Sequence, residues 1–319
     1  MFSGYSNLRM GYHVLLSALF LMVAATASAE TVRIDGPAGP LAGEMIAVDG
    51  ARHAVVIVPG SGPTDSDGNG KQMGLHSDTY KLLAEGLAGA GIASIRIDKR
   101  GFFGSRSAIA DPNDVTVAAY AQDTRDWVRR AADLAPCVWI AGHSEGGLVA
   151  LLAAQEPPEN LCGLILLAAA GRPIGRLLVD QMRAMPGNAP FMPQIEAAVS
   201  ALEAGHIHDP AALPPFLRPM FTAGLQRYMI DLFSYDPTAL ARDWAGPALI
   251  VQGDADMQIK PKDADLLATA MPQAVRADLT GATHMLKDDV PGQPFVSYTD
   301  PSLPLHAGLI PAITAFLND

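Results

Sequence analysis

Positive charge is scarce in this chain of 319 residues: 22 Lys and Arg residues stand against 33 Asp and Glu residues, for a net charge of −11. No basic stripe runs along the sequence, so a nucleic-acid partner is not expected. Charged residues make up 17% of the chain and hydrophobic residues 49%, a balance that is typical of a soluble enzyme with a sizeable core. We interpret the acidity as a contribution to solubility.

Long hydrophobic runs are also missing, and even the apolar run near the N-terminus is short. Residues 14–25 form a short apolar run, Arg9 precedes it, and the A-x-A sequence at 27–29 follows it. This pattern predicts a signal peptide over residues 1–29, with cleavage before Glu30. The run is shorter than the ~20 residues of a membrane-spanning helix. We therefore expect an exported protein, periplasmic or secreted, with no stable membrane insertion after cleavage.

Cysteine is nearly absent, since Cys137 and Cys162 are the only two. Each begins a predicted strand, and each lies seven residues before a strand end, at Ser144 and Ala169 respectively. The two cysteines are therefore expected at a similar height in neighbouring strands. An oxidising compartment would permit a disulfide, whereas two buried thiols are the alternative. The sequence leaves both open.

Apolar runs suited to strands alternate with segments of helical period along most of the chain. Strands are predicted at residues 31–35, 41–48, 53–59, 92–98, 138–141, 161–170, 247–253 and 274–280. Helices are predicted at residues 79–90, 115–135, 148–154, 262–270 and 309–317. The first two strands form an antiparallel pair, and the later alternation predicts an α/β fold with a mostly parallel sheet covered on both faces.

Residues 171–244 interrupt this alternation. They are rich in Met, Phe and Pro and contain helix-like pieces at 176–185, 194–204, 213–220 and 224–233. A helical insertion between two sheet strands is interpreted as a lid over a site. The predicted organisation is thus a signal peptide (1–29), a core domain (30–170 and 245–319) and a lid (171–244).

The hexapeptide GHSEGG at 142–147 lies between an apolar strand and an apolar helix. Strand, G-x-S-x-G and helix form a nucleophile elbow, in which Ser144 sits on a tight turn. Gly142 and Gly146 meet the demand for small neighbours two residues before and after the serine. The following helix directs its N-terminus at Ser144, where backbone N–H groups stabilise an oxyanion.

A serine nucleophile needs a base, and the base needs a carboxylate to orient it. Asp254 and Asp256 follow one late strand, and His284 follows the last strand, which is the chain order of a Ser-Asp-His triad on this kind of sheet. One oxyanion donor is expected to be the backbone N–H of Glu145, and the other to come from the loop 60–62.

On these residues the chain resembles the α/β-hydrolase superfamily, and it is most similar to bacterial serine esterases with a helical lid, related to serine-aminopeptidase-like hydrolases. The resemblance covers nearly all of the chain after residue 29. It rests on the motifs VPGSGPTDSDGNG (58–70), IDKRG (97–101), GHSEGG (142–147), VQGDAD (251–256) and GATHMLKD (281–288).

The resemblance implies an α/β-hydrolase fold and a serine carboxylesterase, which cleaves small to medium acyl esters through an acyl-enzyme on Ser144. It implies a small-molecule ester as substrate, and neither a metal nor another cofactor. It selects Asp256 as the triad acid through a G-x-x-D pattern. Asp254 is the alternative acid, and if it is not the acid it is expected to form the turn. The resemblance also suggests Ser61 as the second oxyanion donor. In the family this loop usually starts with His-Gly, whereas here Pro59 precedes Gly60. Because the expected donor is a backbone N–H, a different side chain before Gly60 does not remove it.

Four aromatic residues are candidates for the substrate pocket. Phe102 and Phe103 follow a D-x-R-G-like turn, where they either line the acyl pocket or pack beneath the loop. Phe221 and Tyr228 lie in the predicted lid, where they form either the core of the lid or an apolar wall for substrate. The oligomeric state and the acyl chain length stay open.

Two rival functions remain. A peptidase or amidase would hold a substrate amine on acidic lid residues, for which the candidates are Glu196, Glu203, Asp231 and Asp236. A non-catalytic binding protein is disfavoured, because the nucleophile, the acid and the base are all present in order.

Other polar motifs are given structural roles. The loop 65–70 imitates the start of an EF-hand, but His76 stands where a glutamate is required, so a turn is expected, with Asp65 or Asp67 paired to Arg100. His206 and His208 are interpreted as solvated rather than metal-binding. We expect His143 to pack in the core, and His306 is a weak alternative base.

Overall fold

The computed structural model describes residue 1 and residues 28–319. The predicted signal peptide therefore lies almost entirely outside the described residues. Among the residues that are described, no helix is long and apolar enough to cross a membrane.

Eight strands form one sheet in the order β1-β2-β4-β3-β5-β6-β7-β8. Strands β1 and β2 pair antiparallel, β2 also runs antiparallel to β4, and all remaining pairs are parallel. This confirms the predicted antiparallel opening and mostly parallel sheet. The strands are β1 (Glu30–Ile34), β2 (Leu41–Ile46), β3 (His53–Val58), β4 (Ala93–Ile97), β5 (Cys137–His143), β6 (Leu161–Leu167), β7 (Ala248–Gly253) and β8 (Val275–Leu279).

Helices cover both faces of this sheet. They are α1 (Thr79–Gly89), α2 (Val117–Ala131), α3 (Glu145–Ala153), α4 (Ile174–Arg183), α5 (Met192–Glu203), α6 (Ala223–Phe233), α7 (Pro237–Asp243), α8 (Pro261–Ala270), α9 (Val296–Thr299) and α10 (Leu309–Asn318). Along β3 the side chains alternate, with Val56 packing among residues of α2 and α3 and Ile57 packing among residues of α1 and α10. Both faces of the strand are thereby buried, which is why its sequence is continuously apolar.

The insertion between β6 and β7 is helical, and it contains α4, α5, α6 and α7. The predicted helix at 213–220 is wrong: only a short 3-10 turn, Arg218–Phe221, occurs in this stretch. The prolines at 214, 215 and 219 explain this, because each lacks a backbone N–H and disfavours the helical conformation of the residue before it. Helix α7 was not predicted, although the sequence carries two signals for its start. Asp236 caps the helix, and Pro237 occupies its first position.

The two cysteines form a disulfide. Cys137 begins β5, Cys162 lies in the adjacent strand β6, and their Cα atoms are 5.6 Å apart. Of the two alternatives that the sequence left open, the structure therefore contains the cross-link rather than two free thiols.

Candidate active site

Ser144 lies on a sharp turn between β5 and α3, with φ 55° and ψ −120°. A non-glycine residue adopts this conformation only at a cost, which surrounding structure must offset. The glycines on either side are required by space. A Cβ on Gly142 would lie 2.2 Å from the carbonyl oxygen of Gly146, and a Cβ on Gly146 would lie 2.4 Å from that of Val58. The G-x-S-x-G sequence thus permits the backbone of the turn to pack against β3.

Asp256 and His284 are joined by a hydrogen bond of 2.8 Å between Oδ2 and Nδ1. The carboxylate also accepts hydrogen bonds from the backbone N–H groups of Gln258 and Ile259, at 2.7 and 3.0 Å. Burial alone would raise the pKa of Asp256, but His284 and these hydrogen bonds outweigh it and lower the pKa below its usual value. An ionised Asp256 holds the Nδ1 proton, which leaves Nε2 of His284 free to accept one.

Asp254 has a different role. Its side chain is exposed and accepts a hydrogen bond of 2.6 Å from the backbone N–H of Gly281. The structure therefore pairs the histidine with Asp256, and Asp254 braces the turn that leads toward His284.

The loop after β3 approaches the serine closely, since a Cβ on Gly60 would lie 3.1 Å from Cβ of Ser144. Ser61 follows in this loop, and Glu145 is the first residue of α3, so its N–H has no acceptor within the helix. Ser61, Ser144, Glu145 and His284 all line the same cavity. The structure thus places Ser61 and Glu145, the two residues expected to donate backbone hydrogen bonds to an oxyanion, on the wall of the same cavity as Ser144.

His143 does more than pack in the core, contrary to the sequence-based expectation. Its Nδ1 is 2.8 Å from the hydroxyl of Tyr80, which itself accepts the N–H of Gly60 at 2.9 Å. Its Nε2 is 2.8 Å from the carbonyl oxygen of His284. Consistent donor and acceptor roles require a proton on Nε2, so a neutral His143 links the Gly60 loop to the backbone of His284. The sequence contained no signal for Tyr80 as the partner.

Burial, with a smaller effect from nearby His284, lowers the pKa of His143 from 6.5 to about 3. The unfolded chain then binds a proton below pH 6.5 that the folded protein does not bind. We expect this group to leave stability unchanged above pH 6.5 and to reduce it as the pH falls from 6.5 toward 3, by up to about 1.4 kcal/mol per pH unit. Urea unfolding between pH 7 and pH 4.5 measures the effect.

The matched variants for this experiment are His143→Gln and His206→Gln. The first removes the buried imidazole, so its stability should fall less steeply with decreasing pH than that of the wild type, whatever its absolute stability. The second changes an exposed histidine and should retain the wild-type slope. If stability fell equally steeply with decreasing pH in all three proteins, the expected contribution of His143 to acid destabilisation would be wrong.

The cavity above the serine has a volume of about 430 Å³. Its walls are mainly apolar and come from the loop after β3, from β6–α4, from α6 and from the loops that carry Asp256 and His284. Helical-insertion residues on these walls are Ile174, Leu177, Leu178, Gln181, Leu225, Tyr228, Met229, Leu232 and Phe233. Gln258, Met285 and Tyr298 also line the cavity and were not predicted, although Gln258 lies two residues after Asp256 and Met285 directly follows His284.

Of the four predicted pocket aromatics, the structure brings only Tyr228 to the cavity. Phe221 is fully buried in the core of the insertion. Phe102 and Phe103 lie at the start of a 3-10 turn away from the cavity wall, and Phe103 is 46% exposed. Phe102 and Phe103 do not line the cavity, because the chain beyond the D-x-R-G-like turn coils back onto β2 through Gly104 and Ser105.

The remaining polar motifs have structural partners. Arg100 binds Asp123 rather than Asp65 or Asp67, and Asp67 binds Arg96 at 2.9 Å. Asp65 accepts N–H groups within its own turn. His306 bonds the carbonyl oxygen of Thr280 at 3.2 Å and is not part of the cavity wall. Within residues 28–319, no cluster of three His, Cys, Asp or Glu side chains could hold a metal ion.

Comparison with known proteins relates this geometry to one family and one fold. The model of the Hydrolase_4 family, described as serine aminopeptidase, S33, matches residues 71–290. Esterase EstD of Thermotoga maritima is 27% identical over 217 residues, which are 67% of this chain and 48% of EstD. The chain thus spans about half the length of that relative.

Solved structures are similar over nearly the whole chain. Est1E from Butyrivibrio proteoclasticus, with bound ferulic acid, has a TM-score of 0.58 at 16% identity, over 90% of this chain and 98% of Est1E. The Pyrococcus furiosus esterase PF2001 has a TM-score of 0.54 at 16% identity, over 91% of this chain and 90% of the esterase. At such identities the likeness concerns the fold alone, and it confirms the predicted α/β-hydrolase architecture.

Proposed function

Because the chain belongs to the Hydrolase_4 family of serine-aminopeptidase-like S33 hydrolases, we propose that it is a serine hydrolase and that it cleaves carboxylic esters of small, neutral substrates. The relative EstD is an esterase by name, which supports the choice of bond. The elbow at Ser144, the Asp256–His284 pair and the adjoining backbone donors support the choice of reaction.

One observation carries the choice of an ester substrate over a peptide with a free N-terminal amine: no described residue of the cavity wall offers a carboxylate free to bind a cation. Among the described residues that line it, Glu145 is the one acidic residue. Its carboxylate is buried and already accepts hydrogen bonds from Ser61 and Tyr228 beside the ammonium group of Lys99. A substrate ammonium group in this apolar cavity would lose its hydration without gaining a partner, which is strongly unfavourable.

The four acidic residues of the insertion that were candidates for binding a substrate amine are engaged elsewhere. Glu196 and Glu203 form ion pairs with Arg183 and Arg176, at 2.7 and 2.8 Å, outside the cavity wall. Asp231 accepts the N–H of Val117 at 2.7 Å. Asp236 caps α7. This arrangement argues against the aminopeptidase alternative, in which these side chains would hold the substrate amine.

In the proposed reaction, Oγ of Ser144 attacks the ester carbonyl carbon while Nε2 of His284 takes the hydroxyl proton. The N–H groups of Ser61 and Glu145 donate hydrogen bonds to the oxyanion. His284 then gives its proton to the leaving alcohol, and the acyl group remains on Ser144. Water attacks the acyl-enzyme with His284 again as base, which releases the carboxylic acid and regenerates Ser144.

A substrate pair that differs by one acetyl group, and therefore in the charge of the amine, tests whether the cavity accepts an ammonium group. We expect hydrolysis of p-nitrophenyl esters, and slower cleavage of L-alanine p-nitroanilide than of its N-acetyl derivative, because acetylation removes the ammonium group. The difference in kcat/KM between the two anilides is expected to be at least about 10-fold. Faster cleavage of the free amine, with little esterase activity, would support the aminopeptidase instead.

We further propose that residues 171–244 act as a lid. Supporting this, Leu177, Leu225, Met229 and Phe233 from the insertion face the cavity beside Ser144. Apolar side chains there suit the acyl or alcohol part of a substrate, and Met offers an adaptable wall. Comparing p-nitrophenyl esters of increasing acyl length, in the wild type and in Met229→Ala, tests this assignment through the chain-length preference.

Export stays a proposal as well, with residues 1–29 as signal peptide. The disulfide between Cys137 and Cys162 supports it, because such bonds persist in oxidising compartments. N-terminal sequencing of the protein recovered from expressing bacteria tests whether cleavage occurs before Glu30.

A further inference from the structure

A buried carboxylate lies beneath the two oxyanion donors. The side chain of Glu145 is only 2% exposed. Its Oε2 accepts the hydroxyl of Ser61 at 2.8 Å, and its Oε1 accepts the hydroxyl of Tyr228 at 2.7 Å and faces Nζ of Lys99 at 3.4 Å. A charge is tolerated at such depth only when its hydrogen bonds and its countercharge are in place. The three donors therefore hold Glu145 in one arrangement.

Lys99 also acts directly on the loop after β3. Its Nζ donates a hydrogen bond of 2.7 Å to the carbonyl oxygen of Gly60. That carbonyl and the N–H of Ser61 belong to the same planar peptide unit, in which a trans bond makes them point in opposite directions. An ammonium group on the carbonyl side thus directs the N–H of Ser61 away from Lys99, and it polarises the N–H into a stronger donor.

The second donor belongs to the same ion pair. The N–H of Glu145 points out of the first turn of α3, and the side chain of this residue is the countercharge of Lys99. Both backbone donors of the oxyanion hole are therefore attached to a single buried pair, Lys99 through the Gly60–Ser61 peptide and Glu145 through its own main chain.

Tyr228 connects this pair to the helical insertion. It lies in α6, 83 residues along the chain from Glu145. Burial and the charge of Glu145 raise the pKa of Tyr228 well above its usual value, so the hydroxyl keeps its proton and donates. The Tyr228 ring meets the edge of Tyr120 at 6.2 Å between centroids, and Nζ of Lys99 lies 5.3 Å from the Tyr120 ring. The insertion and the ion pair thus share one packed contact.

We propose that Lys99, Glu145 and Tyr228 form one positioning unit that orients the oxyanion hole, and that the Tyr228 hydroxyl makes this orientation depend on the docked helical insertion. The inference rests on the proposed function, since it assigns the unit to an oxyanion-forming reaction at Ser144. Lys99 and Tyr228 are positioning residues, because they act through the backbone of Ser61 and Glu145 and not on the substrate.

Tyr228→Phe removes one hydroxyl and keeps the ring, so it tests the link to the insertion. We expect kcat for a p-nitrophenyl ester to fall about 3- to 10-fold with KM nearly unchanged, less than the ~10²- to 10³-fold expected for loss of an oxyanion donor. Affinity for a trifluoromethyl ketone, which forms an oxyanion adduct with the serine, should fall by the same factor as kcat/KM. Tyr235→Phe is the control, because Tyr235 is half-buried in the insertion but does not line the cavity.

Lys99 is tested by a pair of variants, because Lys99→Met alone leaves Glu145 buried without its countercharge. In the double variant Lys99→Met/Glu145→Gln both charges are removed together, which favours folding. We expect about a 10- to 100-fold loss of kcat in this variant. Adding Tyr228→Phe to this double variant should then lower kcat only slightly further, because the effects of substitutions within one unit are not additive. Circular dichroism and thermal unfolding establish that each variant is folded.

The rate at which a fluorophosphonate probe labels Ser144 separates this inference from the proposed function. Labelling needs the serine and the oxyanion hole but no particular ester. Rapid labelling of the wild type without ester turnover would contradict the proposed function only. A Tyr228→Phe variant that matches Tyr235→Phe in labelling rate, kcat and ketone affinity would overturn the inference. An additive loss of kcat in the triple variant would show that Lys99, Glu145 and Tyr228 do not act as a single unit.

Discussion

Ser144→Ala is expected to reduce kcat for ester hydrolysis about 10⁴- to 10⁶-fold, while the protein stays folded. The reason is that the hydroxyl supplies the acyl acceptor, which the methyl group of alanine cannot replace. Ser144 also occupies a positive-φ turn, and alanine is no bulkier there. Kinetics with a p-nitrophenyl ester, alongside fluorophosphonate labelling, measure the loss.

Ser234→Ala is the matched control for this variant, since Ser234 is exposed at the end of α6. It should keep wild-type kinetics. More than a tenth of wild-type activity in Ser144→Ala, or labelling of another residue in that variant, would show that Ser144 is not the nucleophile.

Asp256→Asn is expected to lower kcat about 10³- to 10⁴-fold, with a small change in KM. In the folded protein an ionised Asp256 accepts the Nδ1 proton of His284 at 2.8 Å, which leaves Nε2 available as the base. The amide of asparagine can instead donate to Nδ1, which favours the tautomer with the proton on Nε2. That form cannot take a proton from Ser144.

Asp254→Asn distinguishes this explanation from a general disturbance of the loop. Asp254 lies two residues away, is exposed, and accepts only the backbone N–H of Gly281 among the hydrogen bonds described for its side chain. Its substitution should cost much less activity than that of Asp256. If the order of the two losses were reversed, the assignment of the triad acid would be wrong.

The elements that the sequence predicted well are those with local causes. The alternation of apolar runs and helical periods indicated the order of strands and helices, because side chains of a doubly covered strand are buried on both faces. The elbow could be recognised from six residues, since the close approach of Gly142 and Gly146 to neighbouring backbone is a steric requirement. The predicted helix at 213–220 is absent from the structure, because three prolines prevent the helix that the apolar period indicated.

Long-range contacts explain what the sequence missed at the site. His143 bonds to the backbone of His284 across 141 residues, and Tyr80 bonds to His143 across 63. Neither separation has a periodic or motif signal. Phe102, Phe103 and Phe221 failed as pocket candidates for the same reason, because hydrophobic character does not say which cavity or core a side chain will face.

The sequence by itself determined the α/β architecture, the place of the helical insertion and the candidates Ser144 and His284, since these follow from local periodicity and from the order of motifs along the chain. The same order left Asp254 and Asp256 as candidate acids, and the resemblance to the α/β-hydrolase superfamily favoured Asp256. Only the tertiary structure decided that the disulfide forms, that His284 bonds to Asp256 rather than Asp254, and that the four candidate acidic residues of the insertion are engaged outside the cavity. It also decided that Glu145 joins Lys99, Ser61 and Tyr228. The physical reason is that a charge or a hydroxyl acquires its role from the partner that folding brings within 3 or 4 Å, and that partner is distant in sequence.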